Sequence, residues 1–283
     1  MSEGIDKLPR PLVDFHTHLF PDKLFDAIRR QFVADYGWRV IHDLYWRQTV
    51  DYLRDHGVGT IVYSNYAHKK GVARNLNDWN VRILTKLDDV YCFAAYHPDD
   101  EDGLGMASDL LDNPRIIGFK LQLLVQRFYP DDERLFPLYE LVIEKKKRLL
   151  FHTGTGPVGN EFVGIAFFSR LLERYPDLPA NIAHMGGLEY AQFGALLDDH
   201  PALYMDTAFS FLSGAGLLFN LGKDFLETHK GRILYGSDFP NLILPREDEI
   251  NTLLNLDLSR EFYNEVFRDN GLSLIRECTQ NQP

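Results

Sequence analysis

Short apolar runs recur along this chain with helical segments between them, and that alternation restricts the fold more than any other feature. The runs are Leu12–His18, Gly59–Asn65, Val90–Tyr96, Ile116–Gln122, Arg148–Gly154, Ala180–Gly186, Ala202–Ala208 and Arg232–Asp238. Each is short and rich in apolar or β-branched residues, as expected of a strand buried on both faces. Gln48–His56, Leu135–Lys147, Phe162–Tyr175 and Leu188–His200 carry helical periodicity between them. Eight strand–helix alternations point to a closed (β/α)8 TIM barrel, and one domain over residues 1–283 is a common length for it. A doubly wound open sheet is the alternative, but no Gly-x-Gly-x-x-Gly run follows a strand.

Two stretches break the rhythm. Phe20–Tyr45 follows the first strand and is aromatic-rich, with Tyr36 and Trp38 inside it and Trp46 just beyond. Read as a loop, it either overhangs the C-terminal mouth of the barrel, where such folds bind substrate, or packs as a surface extension. Leu258–Glu277 reads as one or two helices closing the outside or the bottom of the barrel.

A net charge of −11 repels nucleic-acid phosphates and turns expectation towards a small-molecule substrate. The basic run Lys145-Lys146-Lys147-Arg148 sits where it would complement the dipole at a helix C-terminus. Two isolated cysteines, Cys92 and Cys278, form no disulfide or metal pattern, so a reducing compartment is expected. No apolar leader or membrane-length segment is present in the sequence, which predicts a soluble, cytoplasmic protein with no membrane partner.

The chemistry-bearing residues fall at the strand ends. Side chains two apart on a strand share a face, so His16 and His18 converge while Val13, Phe15 and Thr17 turn away. Two imidazoles at a strand end are half of a metal site. Lys120 lies near the end of the fourth run, His152 lies in the fifth, His184 in the sixth and Asp238 ends the eighth. Polar residues in apolar strands are costly unless paired or ligated. His16, His18, His152 and Asp238 are therefore the expected ligands of one divalent metal. Three imidazoles with a carboxylate suit Zn²⁺ first, with Mn²⁺, Fe²⁺ or Co²⁺ also compatible.

Asp14-Phe15-His16-Thr17-His18, the His152 strand, Ala183-His184-Met185-Gly186-Gly187 and Tyr235-Gly236-Ser237-Asp238-Phe239-Pro240 together resemble the amidohydrolase superfamily. The similarity runs from residue 12 to about residue 240. Its nearest branch includes aminocarboxymuconate-semialdehyde decarboxylase. The resemblance implies one divalent metal on the dyad, the fifth-strand histidine and the eighth-strand aspartate, with His184 beside the activated water. It also implies a reading for Lys120, because a carboxylated fourth-strand lysine bridges a second metal in binuclear members. The other readings of Lys120 are a cationic substrate contact or an ion pair with Asp14 or Asp238. Relatives of this kind often form dimers, so a homodimer falls within the same implication.

The expected activity is metal-dependent hydrolysis of a C–N or C–O bond in an amide, lactone or ester. The metal lowers the pKa of a water from 15.7 to about 7. Asp238 takes its proton and returns it to the leaving group, while His184 hydrogen-bonds the water or developing oxyanion. The alternative with the same residues is non-oxidative decarboxylation of an unsaturated or aromatic acid; a carboxylate-binding arginine beside the metal would favour it. A binding protein that retains the fold without catalysis is the reading from another class. Asp206, Asn65 and His68 are candidates for ligand orientation or substrate contact, as is His97. Arg47 and Arg74 are the arginines considered for a substrate carboxylate.

Overall fold

The computed structural model describes residues 7–215 and 218–280. Eight parallel strands run in the order β1-β2-β3-β4-β5-β6-β7-β8. They are β1 (Leu12–His18), β2 (Val58–Ser64), β3 (Val90–Ala95), β4 (Ile116–Gln122), β5 (Arg148–His152), β6 (Ala180–Ile182), β7 (Tyr204–Asp206) and β8 (Ile233–Leu234). The first five closely match the expected runs. The last three are much shorter, because their polar ends leave the strand to build loops at the mouth. The seam between β8 and β1 is closed by Phe15 N–H donating to the Tyr235 carbonyl at 2.8 Å and His18 N–H to the Phe239 carbonyl at 2.8 Å. The expected (β/α)8 barrel is what forms.

One layer crosses the barrel interior, built from Val13, Phe15, Val62, Phe93, Ile117, Leu150, Ala183 and Leu234. Leu274, Ile275 and Cys278 of the last helix, Asn270–Thr279, pack against this layer and plug the bottom of the barrel. Of the two placements open to the C-terminal stretch, the structure takes the bottom. A π-helical turn at Glu265–Asp269 precedes it. The Val266 carbonyl in that turn accepts the Tyr235 N–H at 2.8 Å, tying the helix to the end of β8.

Strict alternation along β1 fails, for a reason visible in its register. Asp14 pairs with Ile61 and Thr17 with Tyr63, so β1 advances three residues while β2 advances two. This β-bulge resets the faces: Val13 and Phe15 fill the inner floor, yet His16 and His18 also reach the interior above it. A second irregularity, between Cys92/Ile116 and Phe93/Gly118, lets β4 contribute Ile117 to the floor and Lys120 to the layer above. Gly118 makes this possible, since a Cβ there would overlap the Arg148 carbonyl oxygen of β5.

Two further expectations change. The stretch after β1 is not a loop throughout; Asp22–Tyr36 is a helix, ended by Gly37 at φ 68°. The basic run divides: Lys145 caps the C-terminus of the helix Phe136–Glu144, whereas Lys147 and Arg148 are used elsewhere. Lys147 is buried and donates to the Ile116 and Cys278 carbonyls, and Arg148 opens β5 and donates to Asn181. Among the described residues no helix is long and apolar enough to cross a membrane.

Gly118→Val places backbone and Cβ in conflict at the bulge and should destabilise the protein by more than about 3 kcal/mol, read as a fall in the urea midpoint.

Candidate metal centre

The strand ends bring His16, His18, Lys120, His152, His184, Asp206 and Asp238 to the barrel mouth, all of them buried. Hydrogen bonds fix which nitrogen of each ring is available. His16 Nδ1 donates to Asp206 Oδ2 at 2.9 Å, and His18 Nδ1 to the Ser64 carbonyl at 3.2 Å. A neutral imidazole protonated at Nδ1 carries its lone pair at Nε2. Both Nε2 atoms face one carboxylate oxygen: Asp238 Oδ1 is 2.9 Å from His18 and 3.3 Å from His16. Lone pair against carboxylate is repulsive unless a cation lies between.

The other pair of rings follows the same logic. His184 Nδ1 donates to the Ala208 carbonyl at 2.9 Å, which turns its Nε2 lone pair towards His152 Nδ1 at 3.2 Å. His152 must then donate from Nδ1, and its Nε2 is left buried without a hydrogen-bond partner. An orphaned imidazole nitrogen in a buried site costs free energy that a metal would repay. The residues present therefore fit a divalent ion, and His16, His18 and Asp238 alone already place ligand atoms within 4.8 Å of one another. His16, His184 and Asp206 form a second such group. In it, however, His16 Nδ1 and Asp206 already satisfy each other.

Protonation states agree with ligation. Burial, reinforced by the Lys120 charge, pushes the His16 pKa well below the ordinary histidine range. Burial and the neighbouring His184 do the same to His152. Both rings are thus neutral at pH 7 and able to bind a metal. Burial works to raise the Asp238 pKa, but positive charge on the side of His18, His16 and His184 outweighs it and holds the carboxyl at about 2, so its ionised form depends on a cation in that position. Burial lowers the Lys120 amine to about 8, against the attraction of Asp206 and Asp238.

Backbone strain concentrates here. His184, Met185, Phe209 and Asp238 all adopt left-handed φ between 51° and 62°, a region disfavoured for non-glycine residues and typical of functional loops. Gly236 lets the β8 end press against β1, since a Cβ there would lie 2.6 Å from His16 Cβ.

Lys120 Nζ is 3.3 Å from His16 Nε2 rather than paired with Asp14. Asp14 instead accepts from Ser237 N–H at 3.0 Å and Ser237 Oγ–H at 2.6 Å, with Arg246 Nε at 3.8 Å. Burial raises its pKa to about 6 despite Arg246 and Ser237. Asp206 bridges rather than faces the cleft: besides His16 it accepts the His184 N–H at 3.0 Å. Asn65 turns away from the mouth and spends its amide on Asn80 and the Leu19 carbonyl. His68 is exposed and lies outside the cleft, and His97 is buried against Phe128. Arg47 stacks on Trp46 and Arg74 sits 4.0 Å from Asp102, both outside the cleft.

The cleft over this centre is narrow, with a volume of about 60 Å³. Trp38, Tyr36 and Phe32 of the insertion, with Tyr66 and Phe209, form its aromatic wall. Of the two placements open to the insertion, overhang of the mouth is the one observed. Tyr66, Phe209 and Asn241 escaped the sequence reading; only the nearness of Asn241 to the Asp238-Phe239-Pro240 turn hinted at any of them.

The family model described as Amidohydrolase matches residues 13–276, and the chain belongs to this family. No curated protein matches it by sequence. Among solved structures, an uncharacterized TIM-barrel protein from Bordetella bronchiseptica superposes with a TM-score of 0.74 at 16% identity, covering 94% of this chain and 99% of the other. A 5-carboxyvanillate decarboxylase from Novosphingobium aromaticivorans, with bound manganese and a nitrobenzoic acid, gives 0.67 at 14% identity over 98% and 99%. A dihydroorotase from Campylobacter jejuni gives 0.56 at 17% identity over 94% and 83%. At these identities the likeness concerns the fold.

Asp206→Ala removes the acceptor that orients His16 and should weaken metal affinity by about 10–100-fold, measured by competition with a chromogenic chelator.

Proposed function

We propose that the protein is a metal-dependent hydrolase of a C–N or C–O bond in a small amide, lactone or ester. The observation that carries this is the pair of imidazole nitrogens, Nε2 of His16 and of His18, turned towards the ionised Asp238 in an aromatic-walled cleft that also holds the unpartnered Nε2 of His152. His16, His18, His152 and Asp238 hold one divalent metal in this reading, with Zn²⁺ or Mn²⁺ suited to the donor set. When bound, the metal acidifies water and polarises the scissile carbonyl.

The chain's own groups do the rest. Asp238, ionised across the neutral range, accepts the proton of the attacking water and passes it to the leaving group. His184 holds His152 in the tautomer that leaves Nε2 free. Lys120 is the cationic amine inside the cleft and faces charge developing on the substrate oxygen. With its pKa near 8 it also exchanges protons readily at neutral pH.

A panel of lactones, amides and esters should show turnover with the Mn²⁺- or Zn²⁺-loaded protein. Asp238→Asn should lower kcat by about 10²–10⁴-fold while leaving the thermal transition in place. Carbon dioxide release from a panel of unsaturated and aromatic acids, with no hydrolysis, would replace this reading by decarboxylation.

Lys120 should also be free of carboxylation. Metal analysis should give close to one ion per chain, and the intact mass should lack the roughly 44 Da of a carbamate; a ratio near two would reverse that assignment.

A further inference from the structure

A second concavity, of about 580 Å³, lies beside the cleft over the metal centre. Phe32, Tyr36, Tyr66, Leu124, Val125 and Val158 border both spaces. Three of these are aromatic and three aliphatic, so the border is mainly apolar, its polar atoms being the Tyr36 and Tyr66 hydroxyls. Beyond it the helix Asp22–Tyr36 adds Leu24, Ala27 and Ile28 to the outer wall. That helix belongs to the insertion after β1 and is mostly open to solvent on its outer face, with Phe25 its buried residue.

The two spaces differ in chemistry. The inner cleft presents His152, Lys120 and Asp238, which suit a polar, reacting group. The outer one is lined by Leu24, Ala27, Ile28 and the shared border, together with Gln31, Asp35, His68, Arg127 and Asn160. Asp35 and Arg127 carry opposite charges, so the annex favours neither an anion nor a cation. Apolar side chains lining a concavity of this size are held open at a cost in solvent-exposed apolar surface, which binding of an apolar group recovers.

We propose that the substrate carries a hydrocarbon extension and that this annex binds it, while the attached polar group meets Lys120, His152 and Asp238. The proposal rests on the metal-centred reading of the cleft and adds the substrate's second half. The insertion after β1 then serves recognition, since it supplies Leu24, Ala27 and Ile28 to the annex and Phe32 and Tyr36 to the border.

Hydroxamic acids test the idea without knowledge of the substrate, because one end chelates a metal and the other is varied. Acetohydroxamic acid and octanohydroxamic acid are titrated calorimetrically into Mn²⁺-loaded protein. Each methylene fully removed from water is worth about fourfold in affinity. Partial burial of the chain should therefore make the octanoyl compound at least about 30-fold tighter. Ala27→Trp fills the annex from an exposed helix position and should bring the two affinities within about threefold. Leu24→Glu places a charge on the same wall and should do likewise, which guards against a folding defect in the first variant. Equal affinity of both compounds for the unmodified protein, with acetohydroxamic acid bound, overturns the annex and leaves the metal centre standing. A chain-length gain that survives both substitutions overturns the annex as its location. Failure of both compounds to bind the loaded protein overturns the metal-centred reading and the annex with it.

Discussion

Everything at the barrel mouth depends on hydrogen bonds made at the Nδ1 side of buried imidazoles. His16 spends Nδ1 on Asp206, His18 on the Ser64 carbonyl and His184 on the Ala208 carbonyl. His184 in turn takes the Nδ1 proton of His152. Each bond chooses a tautomer, and together they leave the Nε2 atoms of His16, His18 and His152 without a proton to give. Burial then keeps His16 and His152 from acquiring one at neutral pH. Lys120 Nζ already stands 3.3 Å from His16 Nε2, and a metal would meet the ionised Asp238 and the unpartnered Nε2 of His152.

The fold supplies the precision this needs through irregularities rather than ideal strands. The bulge in β1 and the close approach at Gly118 in β4 allow one strand to contribute both to the apolar floor and to the polar layer above it. Left-handed backbone at His184 and Asp238 turns these residues inward where β6 and β8 have already ended. The plug formed by Leu274, Ile275 and Cys278 closes the floor from below, so the strained upper layer stands on a well-packed base. The pairing of Asp14 with Ser237 ties the turn that carries Asp238 back to β1.

Much of this was legible in the residue order. Eight buried strand patterns are enough to imply a closed barrel, and polar residues at their ends are enough to imply a site, because apolar strands tolerate such residues only for a reason. What stayed hidden depended on register. Alternation placed Phe15 opposite His16, and only the paired strand β2 reveals that a bulge brings both inward. The same holds for Asn65, whose amide looked available from sequence but is used by Asn80, a helix residue fifteen positions later. The Lys145–Arg148 run looked like helix-end charge because sequence does not show where a helix stops; two of its members are buried between strands and the last helix. The annex beside the cleft was invisible for a related reason, as it joins segments far apart in the chain.

The most direct test is a crystal structure of the Mn²⁺-loaded protein with anomalous data collected at the manganese edge. The account predicts one anomalous peak, bonded to the Nε2 atoms of His16, His18 and His152 and to Asp238, at roughly 2.0–2.3 Å. A peak seated instead among His16, His184 and Asp206, with His152 Nε2 unligated, would contradict it.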